Sequence, residues 1–509
     1  MGIRTAPDPD SEATVSKPAA TAFGWPAGFR LSRAGQIVLA LTVAAAVLRF
    51  ATLDVQSIWL DESATILLVQ RGFAGMLSHL SASESAPPLY YILVWAWTKV
   101  FGLGVISFRS FSALVGTLTV PVMYLAGRRV SARVGIWAAA LTTVNPAMYY
   151  YSQETRCYAL LIFFSAIAFV LWQRALLSPD RRSLALWAGA SILAVLTHYF
   201  AAFLFIPEAI VLMRRVGMKP LLLPGGAVVL VGLALMPLAV AEHGNGHKSE
   251  WIEESSLISR VAETAKQFLV GLYSPLEIFT ALIGGLLAAG AILLVMRRTS
   301  RTERRVARDV AIVATSALAL PLVLALTHAL DVFDGRNMIA DWVPTAVLIC
   351  IGLGASNSHR AGTAIGLCLC VLFLGVVISI NLIPSYQRDD WRGAADTLPT
   401  QASPGRVIVG ETYASLPLSV YLPSLRPVTE STITTREIDF IALRERRTGR
   451  SPLAPTAPTR APRGFRLASV HETESYAVSR FLAARPTKVE VELLRHIADA
   501  PQDEVIQQR

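Results

Sequence analysis

Apolar runs of roughly 18–25 residues recur along this chain, separated by polar breaks rich in arginine, and a run of that length is what a helix needs to cross a bilayer. Only 16% of the 509 residues are charged, where a soluble domain carries about 25%. A helix satisfies its own backbone hydrogen bonds, so it is the natural form for such a run in hydrocarbon. The chain is therefore read as a polytopic membrane protein. Its net charge of +10 sits in arginines scattered between apolar runs. Nucleic-acid binding is excluded, because it would need those charges gathered on one folded face. The four cysteines, Cys157, Cys350, Cys368 and Cys370, lie in or beside apolar runs. They form neither a disulfide framework nor a zinc-type spacing.

The arginines fix the predicted orientation through the positive-inside rule. Arg30 and Arg33 place the N-terminus in the cytoplasm, so the first run, 34–53, exits. The piece 88–102 is short for a crossing. It is read as an interfacial helix on the outer face, opened by Pro87-Pro88 and carrying Tyr90, Tyr91, Trp95 and Trp97 at headgroup depth. With that choice the clusters around Arg128, Arg181, Arg214, Arg301 and Arg360 all fall inside. The further crossings are 109–126, 134–150, 157–173, 184–197, 200–213, 221–241, 276–296, 310–328, 339–355 and 363–383, which makes about eleven in all.

The predicted fold class is an all-α polytopic membrane domain with outer-face juxtamembrane helices and a small C-terminal α/β domain outside the membrane. Residues 1–34 lack apolar mass and are expected to form a disordered cytoplasmic tail. The transmembrane domain takes 35–383. From 384 to 509 no run is long enough to span. There RVIVG at 406–410 reads as a strand and 413–421 as a helix. Segments 465–470 and 489–494 read as strands or helix, and 446–464 as a loop. The expected location is the cell membrane, with the C-terminal domain extracytoplasmic.

This topology gathers unusual polar residues at the outer ends of the helices. Trp59-Leu60-Asp61-Glu62-Ser63 places two carboxylates where the first run surfaces. Glu84, Arg109, the turn Gln153-Glu154-Thr155-Arg156-Cys157-Tyr158, His198-Tyr199 and Arg336-Asn337 share that level. Carboxylates and guanidinium groups together suit a reaction in which a hydroxyl loses a proton and an anion departs. Adjacent side chains point in different directions, so Asp61 is assigned as general base and Glu62 as a partner that orients a neighbour or the acceptor. The alternative is an acidic turn that merely favours the N-terminus of the next helix. Glu154 is read as a second acidic residue near the base and Arg156 as a phosphate ligand, since a guanidinium donates two parallel bonds to phosphate. The alternative is an internal Glu154–Arg156 pair that pins the turn. Arg109 and Arg336 break the positive-inside trend and call for anionic partners, or else snorkel to headgroups. His198 is read against a plain structural hydrogen-bonding role. His243 and His247 lack a third ligand, so no metal site is assigned.

As a set, WLDES at 59–63, PPLYYIL at 87–93, FRSFSALVGTLTVPVMYLAGRRV at 108–130, NPAMYYYSQETRCYAL at 145–160 and THYF at 197–200 resemble the superfamily C glycosyltransferases. The nearest group includes the protein O-mannosyltransferases and the aminoarabinose transferase acting on lipid A. The resemblance covers about 35–215 in order and spacing. It implies a polyprenyl-phosphate-linked sugar donor, a glycan, lipid or protein acceptor, inversion at the anomeric carbon in one displacement, and no metal or other cofactor. It maps the family's catalytic carboxylate onto Asp61, with Glu62 beside it, and its second outer acidic residue onto Glu154. The donor-phosphate ligands map onto Arg156, Arg109 and Arg336, with His198 and Tyr199 of THYF alongside. Asn337 stands where family members often carry an aromatic residue. The competing readings are a multi-pass transporter or flippase, which would want charge near the bilayer midplane, and an assembly or sensor protein centred on residues 384–509.

Overall fold

The computed structural model describes residues 31–244, 252, 255–399, 405–444, 455–498 and 503–508. Most of the expected N-terminal tail, His247 and part of the expected 446–464 loop lie outside the described residues. Eleven helices correspond one for one to the expected crossings. They are α1 (Arg33–Phe50), α5 (Val105–Arg128), α6 (Ala132–Val144), α8 (Tyr158–Leu177), α9 (Arg181–Thr197), α10 (Ala201–Val216), α11 (Leu222–Gly244), α13 (Glu277–Arg298), α14 (Arg301–Leu326), α15 (Trp342–Gly354) and α16 (His359–Leu382). Between them lie the shorter helices α2 (Leu60–Gln70), α3 (Gly72–Ser83), α4 (Leu89–Phe101), α7 (Pro146–Ser152) and α12 (Leu257–Val270). Among the described residues, seven helical segments are long and apolar enough to cross a membrane, and α6, α9, α10 and α15 are shorter. Helix α4, at 13 residues, is too short to span, as its sequence implied.

Burial separates centre from periphery. In α5 and α8, 61% and 56% of the apolar window is buried inside the protein, against 11% and 17% in α11 and α13. Side chains such as Leu223 and Leu286 are exposed, as lipid-facing residues are in a bundle whose solvent is hydrocarbon. Helix α5 is central and packs on α1, α6 and α8. Close backbone approach uses small residues: a Cβ on Gly352 would overlap the Ala291 carbonyl where α15 crosses α13. One carboxylate departs from the expectation that charge sits at helix ends. Glu208 lies within α10, 1% exposed, and its Oε2 accepts from Trp187 Nε1 at 2.7 Å.

Beyond α16 the chain forms α17 (Trp391–Thr397), β1 (Val407–Gly410), α18 (Ser415–Tyr421), β2 (Leu425–Pro427), β3 (Thr432–Leu443), β4 (Arg466–Glu472), β5 (Tyr476–Glu490), α19 (Val491–Ile497) and β6 (Glu504–Gln508). The strand order is β2-β6-β1-β3-β5-β4. Strands β1 and β3 pair in parallel, and the other neighbours are antiparallel. Alternation along the strands gives two cores. Ile408, Ile441 and Val478 face α17 and α18, while Val407, Phe440 and Phe481 face α19. The segment 465–470, read as strand or helix, is β4. The ambiguous 489–494 divides between the end of β5 and the start of α19.

Candidate active site

The acidic turn opens α2. Trp59 is its N-cap, and Asp61 and Glu62 stand in its first turn, where the helix dipole favours negative charge. Successive helical residues diverge, and the two carboxylates part company. Glu62 is fully buried. Its Oε1 accepts from Arg109 Nε at 2.8 Å and from the Thr155 backbone N–H at 2.9 Å. Its Oε2 accepts from Arg109 Nη2 at 2.6 Å and Arg388 Nη1 at 2.9 Å. Burial opposes the charge, but Arg109 and Arg388 outweigh it and hold the carboxyl below its usual range.

Arg109 reaches this site from α5. Its remaining N–H groups go to the carbonyls of Leu53, Gln56 and Ser57 at 2.7–2.9 Å. All five guanidinium donors are thus engaged by protein, and the residue is 1% exposed. In this arrangement the Arg109 fork is filled by protein groups and has no donor left for a phosphate, and both Glu62 oxygens are bonded to neighbouring residues; together they set the shape of the loop before α2.

Asp61 turns the other way. Its Oδ2 accepts from Arg336 Nη1 at 2.8 Å, and the two side chains are 25% and 26% exposed. Arg336 is steered by Asp334, which also accepts from the Arg336 backbone N–H at 3.1 Å. Arg156 approaches from the turn after α7, donating to the Asp61 carbonyl at 3.3 Å and to Thr65 Oγ1 at 3.1 Å. It also pairs with the buried carboxylate of Glu84. Among the described residues the alternative reading, a Glu154–Arg156 pair, is not formed; Arg156 pairs with Glu84 instead. The turn itself is fixed by Asn145. This residue caps α7 by accepting from Ala147 and Met148 N–H, and donates its amide to the Phe268 carbonyl.

Glu154 is 1% exposed, and neither of its carboxylate oxygens has a hydrogen-bond partner in the described structure. Arg388 Nη2 lies 3.9 Å away. Burial raises its carboxyl to about 7, with Arg388 pulling the other way. His198 is buried between Tyr158 and Phe200. Burial, with Arg156 and Arg336 nearby, lowers it to about 3. Its Nδ1 accepts from the Phe200 N–H at 3.3 Å, so the tautomer assigned from this bond carries its proton on Nε2. It is a neutral imidazole at neutral pH. Tyr199 donates its hydroxyl to Glu242 at 2.9 Å, so that donor is engaged as well.

Sequence reasoning missed Arg388. It lies 2% exposed over the ring of Tyr150 at 4.3 Å, and donates to Glu62 and to the Gln153 carbonyl at 3.1 Å. The available signal was an arginine five residues beyond the last apolar run, on the expected outer side. Among the described residues, no group of three His, Cys, Asp or Glu side chains is placed to hold a metal.

The fold is similar to that of solved structures of ArnT. Residues 85–241, which hold most of the motifs, match the family model described as dolichyl-phosphate-mannose-protein mannosyltransferase. Among solved structures, ArnT from Cupriavidus metallidurans in the apo state is 15% identical with a TM-score of 0.51, covering 77% of this chain and 85% of its own. ArnT from the same organism bound to undecaprenyl phosphate is 12% identical with a TM-score of 0.50, covering 88% and 98%. No curated protein sequence matches the chain.

Proposed function

We propose that the protein is an integral-membrane glycosyltransferase that moves a sugar from a polyprenyl-phosphate donor to an acceptor hydroxyl on the extracytoplasmic side, inverting the anomeric carbon. The observation that carries this reading is the half-open Asp61–Arg336 pair with Arg156 at its back: one carboxylate and two guanidinium groups meet at the accessible end of an otherwise buried network. The family match over 85–241 and the ArnT-like fold support it.

In this mechanism Asp61 accepts the proton of the acceptor hydroxyl as that oxygen attacks the anomeric carbon. The bond from that carbon to the phosphate oxygen breaks, and its electron pair leaves with polyprenyl phosphate. Arg336 and Arg156 stabilise the charge that develops on the leaving group, a use of fixed cations typically worth several kcal/mol. A base in this role contributes about 10²–10⁴-fold in rate. Glu62 and Arg109 hold the turn that carries Asp61, and Glu154 lines the buried side.

The test is direct. Purified wild type and Asp61→Asn are given a panel of polyprenyl-phosphate sugars, and released polyprenyl phosphate is measured. Release by the wild type alone supports the assignment. Equal release from both removes Asp61 from the chemistry, and no release with any donor favours a transport role.

A further inference from the structure

The loop between α1 and α2 has no regular secondary structure over 51–59, yet it must present Asp61 at a fixed angle. Arg109 holds its carbonyls from the membrane side. Its other polar groups are met from the C-terminal domain. Tyr421, the last residue of α18, accepts from the Ile58 N–H at 2.8 Å through its hydroxyl, which also lies 3.2 Å from Ser57 Oγ. The Arg392 N–H donates to Ser57 Oγ at 2.9 Å, and its guanidinium pairs with Asp54 at 2.8 Å. The Arg388 N–H donates to Gln56 Oε1 at 3.1 Å. The Arg388 side chain then continues inward to Glu62 and to the Glu154 turn. Contacts from Asp54, Gln56, Ser57 and Ile58 of the loop and from both buried carboxylates thus converge on Arg388, Arg392 and Tyr421.

We propose that the C-terminal domain is a brace for the acidic turn, with Arg388 and Tyr421 as positioning residues that set the aim of Asp61. The loop itself offers no repeating hydrogen bonds, so its geometry is only as fixed as these outside partners make it. Arg388 acts through Glu62, at the base of the same helical turn as Asp61. Tyr421 acts through the backbone just ahead of Trp59. The kinetic consequence rests on the proposed glycosyl transfer; the brace does not.

Full-length Tyr421→Phe, Arg388→Lys and Arg388→Gln are compared with wild type in two measurements. Amide hydrogen exchange over 53–62, without substrate, reads the brace alone. Tyr421→Phe is expected to speed exchange there by about fivefold, the effect of one hydrogen bond, with global melting little changed. Donor turnover reads the consequence. Arg388→Gln is expected to lower kcat by about 10²-fold, the effect of roughly 1 Å of misplacement, with KM for the donor little changed and partial recovery in Arg388→Lys. If Arg388→Gln does not fold, Tyr421→Phe decides. If wild type turns over no donor, the glycosyltransferase reading fails and the exchange result still decides the brace. Unchanged exchange over 53–62 in Tyr421→Phe, or a loss in KM alone in Arg388→Gln, overturns the proposal.

Discussion

Replacing each carboxylate of the acidic turn by its amide separates assembly from chemistry. Glu62→Gln keeps the shape of the side chain but withdraws the counter-charge shared by Arg109 and Arg388, which are 1% and 2% exposed. Breaking a buried pair by removing one partner costs about 3–5 kcal/mol, mostly because the remaining charge stays buried. Asp61→Asn touches a pair in which both side chains are a quarter exposed. Such pairs contribute about 0–1 kcal/mol, and an amide oxygen can still accept from Arg336. The expected outcome is therefore crossed. Asp61→Asn melts close to wild type and loses about 10²–10⁴-fold in turnover, whereas Glu62→Gln gives less folded protein with an earlier transition. Intrinsic tryptophan fluorescence in detergent micelles reads the first quantity, and polyprenyl phosphate released per folded molecule the second. The sign with pH is also fixed. The Glu62 carboxyl is depressed in the folded state, so its contribution is present above its ordinary value of 4.5 and is lost as pH falls through the folded value. Wild type should show an acid-induced loss of stability that Glu62→Gln lacks. Equal melting of Glu62→Gln and wild type across that range would refute the account of the buried network.

Glu154 should behave with the opposite slope. Its carboxyl is raised from 4.5 to about 7, so the native state binds the proton more tightly than the unfolded chain. Stability from this group is full below 4.5 and is lost as pH rises through about 7, by up to about 3 kcal/mol. Glu154→Gln should accordingly gain on wild type at pH 8 relative to pH 5 (about the two sides of that titration), as read by melting at the two values. Arg109→Gln should reduce folded yield by the cost of a broken buried pair, about 3–5 kcal/mol, in a binding-independent melt. Arg336→Gln should leave melting nearly intact and weaken turnover of the donor. Gly352→Val should destabilise by at least the roughly 1–3 kcal/mol of an overpacked contact, since its side chain would meet the Ala291 carbonyl; thermal melting measures it.

The helical bundle was legible because hydropathy and arginine placement act over whole segments: the expected runs are helical, although 134–150 divides at Asn145 into α6 and α7. The site was legible only in part. Asp61 and Arg336 were placed at one level by topology, and they do meet. The carboxylate partners of Arg109 and Arg156 were not recoverable, because which carboxylate an arginine takes depends on side-chain direction. Arg109 looked like a cation waiting for phosphate, yet its fork closes on Glu62 and three carbonyls. Glu84, which sequence placed only on the outer face, is the partner of Arg156. Arg388 lay past the last apolar run, where composition shifts and local patterning stops reporting on the membrane half. Its bond to Glu62 spans 326 residues, and no periodicity records such a distance. His198 was visible as a motif residue, but its neutrality follows from burial beside two cations, a property of the packed state.

The position of β6 bears on how the molecule is made. This strand comes last in the described chain, yet it lies inside the sheet, between β2 and β1, and so joins the piece that follows Tyr421 to the rest. Until it is synthesised, β2 has no neighbour and α18 is attached to an unfinished layer. The loop that holds Asp61 emerges from the ribosome early and then waits for a tyrosine 363 residues downstream of Ile58. Setting the acidic turn is thus tied to the synthesis of β6, and a protein cut short before residue 504 would leave β2 without its partner strand.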